Sequence, residues 1–271
     1  MKQAFIFKVI AIYIISFSYL YPREMIILDS IPKCGTHLAS KCIELLTRQK
    51  CYNVRWNPAA LPNKYFYSGD DLADLRLIFS KRLKNEFISS HLTYSPIFED
   101  EVIKKGYKFI FIYRDPRAQV VSMARWKIKF NANAGMSLND TIMSLITDSV
   151  LYKTGWKDVG NIFDLYRSFM PWTLNSKFLS IRFEDLVGPN GGGDLKSQYK
   201  TVSDIANFIG AKVDKIKIKA ITKDIFGGTA TFNEGQIDGW KKYFTKEHKN
   251  AFKKYAGQLL IDLGYEKDLN W

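Results

Sequence analysis

Three short apolar runs punctuate the chain, and each closes on a polar loop that leads into a stretch of helical periodicity. The first, Met25 to Leu28, is followed by Asp29-Ser30-Ile31-Pro32-Lys33-Cys34-Gly35-Thr36-His37. A helix-like pattern then runs through about Thr47, with Leu38, Cys42, Leu45 and Leu46 on one face. The second, Tyr107 to Tyr113, meets Arg114-Asp115-Pro116-Arg117 and a helix from about Arg117 to Trp126, with Pro116 where a first helical turn accepts proline. The third, Lys177 to Arg182, leads into Phe183-Glu184-Asp185-Leu186 and a Gly191-Gly192-Gly193 loop, and Gln198 to Phe208 is then helical. Strands alternating with helices predict an α/β fold, a parallel sheet flanked by helices in three layers. Between Phe130 and Trp172 the strand rhythm gives way to amphipathic helices. The chain closes on a long helix from Thr245 to Leu263, ending at Gly264.

The first twenty residues follow none of these rhythms. Ala4 to Leu20 is almost wholly apolar, interrupted only by Lys8, Ser16 and Ser18, short of the roughly 20 apolar residues a span requires and without an A-x-A cleavage site. Two readings stand: a membrane anchor or uncleaved signal, or a buried or interfacial helix. Localisation is accordingly membrane-associated or cytoplasmic. Residues 1–22 are set apart, and residues 23–271 are expected to form one domain, since 271 residues at 46% hydrophobic suffice for a single large core.

A net charge of +13 calls for an anionic ligand or surface. The basic residues are dispersed and no zinc-finger or RNA-recognition pattern occurs, which argues against specific nucleic-acid binding. Three cysteines, Cys34, Cys42 and Cys51, make no disulfide framework, and three histidines, His37, His91 and His248, make no histidine-rich metal site.

The strand-loop-helix at Lys33 to His37 has the elements of an anion cradle: backbone amides and a helix dipole meeting at one point, a lysine charge, a glycine for close approach and the Thr36 hydroxyl. The G-x-x-x-x-G-K-[ST] pattern is absent, which disfavours a nucleotide triphosphatase. Cys34 as a phosphatase nucleophile would need an arginine six residues on, where Ser40 stands. Arg114 at a strand end and Ser122 about two helical turns beyond suit a second phosphate, gripped from two directions.

Together these segments resemble the PAPS-dependent sulfotransferases, PAPS being 3′-phosphoadenosine-5′-phosphosulfate. Ile31-Pro32-Lys33-Cys34-Gly35-Thr36-His37 is similar to the family's 5′-phosphosulfate loop, and Tyr113-Arg114-Asp115-Pro116-Arg117 through Val120-Val121-Ser122 to its 3′-phosphate motif. Ser90-His91-Leu92 resembles the stretch with the catalytic histidine. Phe183-Glu184-Asp185-Leu186 resembles the strand-end motif, and Phe232 to Trp240 with Tyr243-Phe244-Thr245 the segment that closes over the cofactor. The resemblance implies a P-loop-like sulfotransferase fold, PAPS as co-substrate, no metal, and a small-molecule, glycan or lipid acceptor with a hydroxyl or amine. It further implies His91 as general base, Lys33 at the leaving phosphate, and Lys33, Cys34, Gly35, Thr36, His37, Arg114, Ser122 and Gly235 as cofactor-binding residues.

The chain departs from the family at three places. Asn233-Glu234-Gly235 replaces Arg-Lys-Gly, Asp238-Gly239 reverses Gly-Asp, and Ser89 stands where many members carry a second lysine. The first departure puts an acid beside an anion and keeps open a degenerate relative that binds nucleotide or partner without turnover. A small-molecule kinase is a further alternative, for which Asp115 is the nearest candidate metal ligand. Trp126, Trp156, Tyr166 and Trp172 are candidates for an acceptor pocket or for core.

Overall fold

The computed structural model describes residues 25–53, 85–132, 135–147, 160–228 and 234–271. The apolar segment Ala4 to Leu20, Trp156, Phe232 and Asn233 lie outside them. Among the described residues, no helix is long and apolar enough to cross a membrane, and no group of three or more His, Cys, Asp or Glu residues is arranged to hold a metal.

The sheet is built from β1 (Ile26–Ser30), β2 (Lys50–Asn53), β3 (Glu86–Ser90), β4 (Lys108–Tyr113) and β5 (Leu179–Arg182), in the order β2-β3-β1-β4-β5 with every pairing parallel. Alternate side chains serve opposite faces. Ile27, Phe109 and Phe111 join one core with Phe169, Trp172 and Phe252. Ile26, Leu28, Ile110 and Ile112 join a second with Leu38, Cys42, Val202 and Ile205. Both faces are covered, which is why β1 and β4 read as unbroken apolar runs.

The helices that matter for the site are α1 (Thr36–Thr47), α2 (Pro96–Lys104), α3 (Pro116–Lys129), α4 (Leu138–Thr147), α5 (Ile162–Phe169), α6 (Phe183–Val187), α7 (Leu195–Phe208), α8 (Lys215–Asp224) and α9 (Lys246–Asp262). Thr245 caps α9, its hydroxyl accepting from the His248 amide at 3.3 Å. The predicted strands and helices around β1, β4, β5, α1, α3, α7 and α9 are present within a few residues. Strands β2 and β3 and helix α2 carry no such apolar pattern, and Phe183-Glu184-Asp185-Leu186 is a helical turn after β5. Strand β3 escaped because its C-terminal half is Ser89-Ser90, polar yet 1% and 3% exposed, which breaks the apolar signature while serving the site.

The C-terminus is fastened to α3 through Arg117. Its guanidinium lies between the rings of Trp240, 4.2 Å from the centroid, and Trp271, 4.6 Å away, and pairs with Asp115 at 2.7 Å and Glu266 at 2.5 Å. Cation–π contact and buried pairing together hold the last residues against the helix that follows β4.

Candidate functional site

Strand β1 is flanked by β3 and β4, so the connections after these three strands converge at the carboxyl edge of the sheet, where the winding direction reverses and a crevice must form. The loop after β1 carries Lys33 and Gly35, that after β3 carries His91, and that after β4 carries Arg114. All four line one cleft, with Thr36, His37, Ser122, Arg125, Trp126, Glu234, Gly235 and Tyr243 around them. Its empty space is about 1150 Å³, counting the open mouth.

The β1 loop is held in an uncommon shape. Lys33 has φ 69 and Gly35 φ 107. A left-handed lysine costs roughly 1–3 kcal/mol and persists only where its surroundings impose it. At Gly35 an added Cβ would stand 2.7 Å from Cδ2 of Phe183, so glycine is required for the loop to close on that ring. The other side of the constraint is Gln119 of α3, whose Nε2 donates to the Pro32 carbonyl at 3.0 Å and so ties the first motif to the second. Helix α1 then starts at Thr36 with no acidic residue in its first turn, and its positive end faces the cleft unopposed.

Arg114 is 7% exposed. Its Nη2 donates to the Gln236 carbonyl at 2.6 Å, its guanidinium stacks 4.1 Å from the Phe183 centroid, and its buried Nε has no hydrogen-bond partner among the described residues. An orphaned donor on a buried cation, lining a cleft with a lysine and a helix N-terminus, fits an anionic ligand. The Arg114 carbonyl accepts from Tyr166 Oη at 2.7 Å, which fixes the strand end.

His91 is 6% exposed, and its Nδ1 is 2.7 Å from the Ser30 carbonyl oxygen and 3.0 Å from Ser30 Oγ. A carbonyl only accepts, so Nδ1 carries the proton and Nε2 is the basic nitrogen of the neutral ring. Ser30 Oγ continues to Thr36 Oγ1 at 2.6 Å, linking the histidine to the first residue of α1.

The structure thus brings together Lys33, Gly35, Thr36, His37, His91, Arg114, Ser122 and Gly235. Cys34 is not among the cleft residues. Its side chain is wholly buried with Sγ 3.5 Å from Tyr166 Oη, its amide donates to the Ile31 carbonyl at 3.1 Å, and burial pushes the thiol pKa up to about 12. Asp115 is committed to capping α3 and to Arg117, which leaves the kinase alternative without its metal ligand. Tyr166 and Trp172 are core residues at 0% exposure, whereas Trp126 does line the cleft.

Two features emerge only from the fold. Arg125, one turn beyond Ser122, lines the cleft and donates through Nη1 to Glu234 Oε1 at 2.6 Å and Tyr243 Oη at 2.9 Å, while Tyr243 Oη is 2.9 Å from the same carboxylate. The acid at 234 is therefore neutralised locally, and Arg125 holds its carboxyl below the usual carboxylate range. The i, i+3 spacing of Ser122 and Arg125 was available, but only the fold puts Glu234 across from them. The second feature is Asp29, buried against the residues on either side of His91, with burial raising its carboxyl pKa to about 7.

Comparison with solved structures gives the same fold. Mouse sulfotransferase SULT7A1 complexed with PAP is 20% identical with a TM-score of 0.63, over 90% of this chain and 87% of that one. Retinol dehydratase in complex with androsterone and the inactive cofactor PAP is 16% identical with a TM-score of 0.59, over 90% and 82%. Among curated proteins no relative in sequence is found. The family described as the sulfotransferase domain matches residues 23–264, so the chain belongs to the sulfotransferases, the enzymes that move a sulfuryl group from PAPS to an acceptor.

Proposed function

We propose that the cleft at the carboxyl edge of β1, β3 and β4 is the transfer site and that His91 is its general base. Nε2 of His91 takes the proton of an acceptor hydroxyl or amine as that atom bonds to sulfur. The bond from sulfur to the 5′-phosphate oxygen breaks, and the products are the sulfated acceptor and adenosine 3′,5′-bisphosphate (PAP). Lys33, the Thr36 hydroxyl and the α1 amides stabilise the charge gathering on the departing phosphate, the contribution that dominates loose in-line transfers of this kind. Arg114, Ser122 and the backbone at Gly235 hold the 3′-phosphate. Arg125 adds a second cation to this wall.

The observation that carries the reading is the 2.7 Å contact between His91 Nδ1 and the Ser30 carbonyl oxygen, which assigns the ring proton to Nδ1. Ser30 begins the loop of the phosphosulfate cradle, so base and cradle are fixed by adjacent atoms. The test is a panel of small phenols, alcohols and amines with radiolabelled PAPS, using wild type and His91→Ala. On any acceptor that is turned over, the variant is expected to lose at least about 100-fold in kcat, within the range for a positioned base, while binding PAP as wild type does. A variant that keeps full turnover would remove His91 from the mechanism.

A further inference from the structure

The parallel ladder between β1 and β3 ends at the pair Asp29 and Ser90, one residue short of His91. Beyond it the backbone amide of Leu92 needs an acceptor. The Asp29 carboxylate supplies it: Oδ1 accepts from Leu92 N at 2.8 Å and from Ser90 Oγ at 2.7 Å. One oxygen thus grips both neighbours of His91, and the next residue, Ser30, holds the imidazole itself through its carbonyl at 2.7 Å. Asp29 is 0% exposed, and its Oδ2 has no hydrogen-bond partner among the described residues.

A strand end needs no carboxylate to satisfy one amide. A serine or asparagine would do so without the desolvation that a buried acid suffers, and a half-satisfied buried carboxylate is an expensive choice. What Asp29 adds is convergence: one oxygen accepts from the residues on both sides of His91, so a single buried side chain holds the two rigidly. General-base chemistry rewards that rigidity, because a displacement of about 1 Å costs on the order of 100-fold in rate.

We propose that Asp29 is a positioning residue for His91, clamping Ser90 and Leu92 so that Nδ1 stays on the Ser30 carbonyl and Nε2 remains the basic nitrogen. Asp29 itself touches neither donor nor acceptor, since it is wholly buried and does not line the cleft. The proposal rests on His91 being the base.

Imidazole nitrogen NMR on the 15N-labelled full chain, with His91 assigned from the spectrum of His91→Ala, reads the tautomer directly, and calorimetric titration with PAP reads the donor site. In wild type, His91 is expected to show a single neutral tautomer protonated at Nδ1. In Asp29→Ala it is expected to become a mixture of tautomers while the Kd for PAP changes less than about threefold. Asp29→Asn keeps an oxygen for both bonds and is expected to restore the wild-type tautomer. Should Asp29→Ala not fold, Ser90→Ala, which removes one of the two bonds, is expected to shift the tautomer in the same direction. A wild-type tautomer in the folded alanine variant, or an Asp29→Asn protein as perturbed as Asp29→Ala in both tautomer and PAP affinity, would overturn the proposal. Failure of the wild-type chain to bind PAP would instead sink the reading of the cleft.

Discussion

Replacing Glu234 by glutamine isolates the feature in which this chain departs most from its family. The carboxylate is about one-third exposed, lines the cleft, and is met by Arg125 at 2.6 Å, Tyr243 Oη at 2.9 Å and Lys242 at 3.9 Å. Arg125 lowers its pKa, so at pH 7 the substitution removes a full negative charge. The cost in stability is small, because a pair this exposed contributes about 0.2–1 kcal/mol and is screened by salt. Its effect on an anionic ligand has the opposite sign. At an effective dielectric near 20 and a separation of about 8–10 Å, one charge on another amounts to roughly 1.5–2 kcal/mol before screening. Glu234→Gln is therefore expected to tighten PAP binding by about three- to tenfold at low salt, with the gain shrinking at high salt. Arg125→Ala is expected to weaken it by about 10-fold or more, as loss of a charge-assisted bond would. The assay is calorimetric titration of both variants and the double variant with PAP at two ionic strengths. Weaker binding by Glu234→Gln would mean instead that Glu234 is needed to present Arg125 to the ligand, and that its charge does not oppose the anion.

Arg114→Ala is expected to lose about 100-fold in affinity for PAP and little for adenosine 5′-phosphate, which lacks the 3′-phosphate; equal losses for both ligands would place Arg114 elsewhere. Cys34, with its thiol pKa pushed up to about 12 by burial, is expected to resist alkylation at pH 8 in the folded chain, and rapid labelling mapped to it by mass spectrometry would contradict the packing against Tyr166. Asp29 titrates near 7 in the folded chain against 3.8 ordinarily, so between pH 4 and 7 the native state binds more protons than the unfolded chain. Its contribution to stability then falls as pH rises through that window, by at most about 1.4 kcal/mol per pH unit, and this slope is expected to vanish from denaturant unfolding of Asp29→Asn.

The parallel α/β architecture was legible because β1 and β4 sit under helices on both faces and keep the apolar runs that such burial demands, while β5, at the sheet edge, keeps only Ile181 buried. Residues lining the cleft were legible for a related reason: Lys33, Gly35 and Arg114 lie at strand-loop-helix junctions, and Ser122 lies two turns along the helix that follows β4. What escaped depends on contacts between distant segments. The Glu234 carboxylate reads as hostile to an anion until α3 brings Arg125 to it across 109 residues. Asp29 reads as part of a loop until β3 lies beside it. Cys34 sits within a binding motif, yet its side chain turns into the core against Tyr166, 132 residues away.

Calorimetric titration of the wild-type chain with PAP tests the donor site most directly. One site per chain is expected, with micromolar or tighter affinity, weakened by Arg114→Ala and indifferent to His91→Ala. A folded wild-type chain that takes up no PAP would show instead a sulfotransferase fold that has lost its donor site.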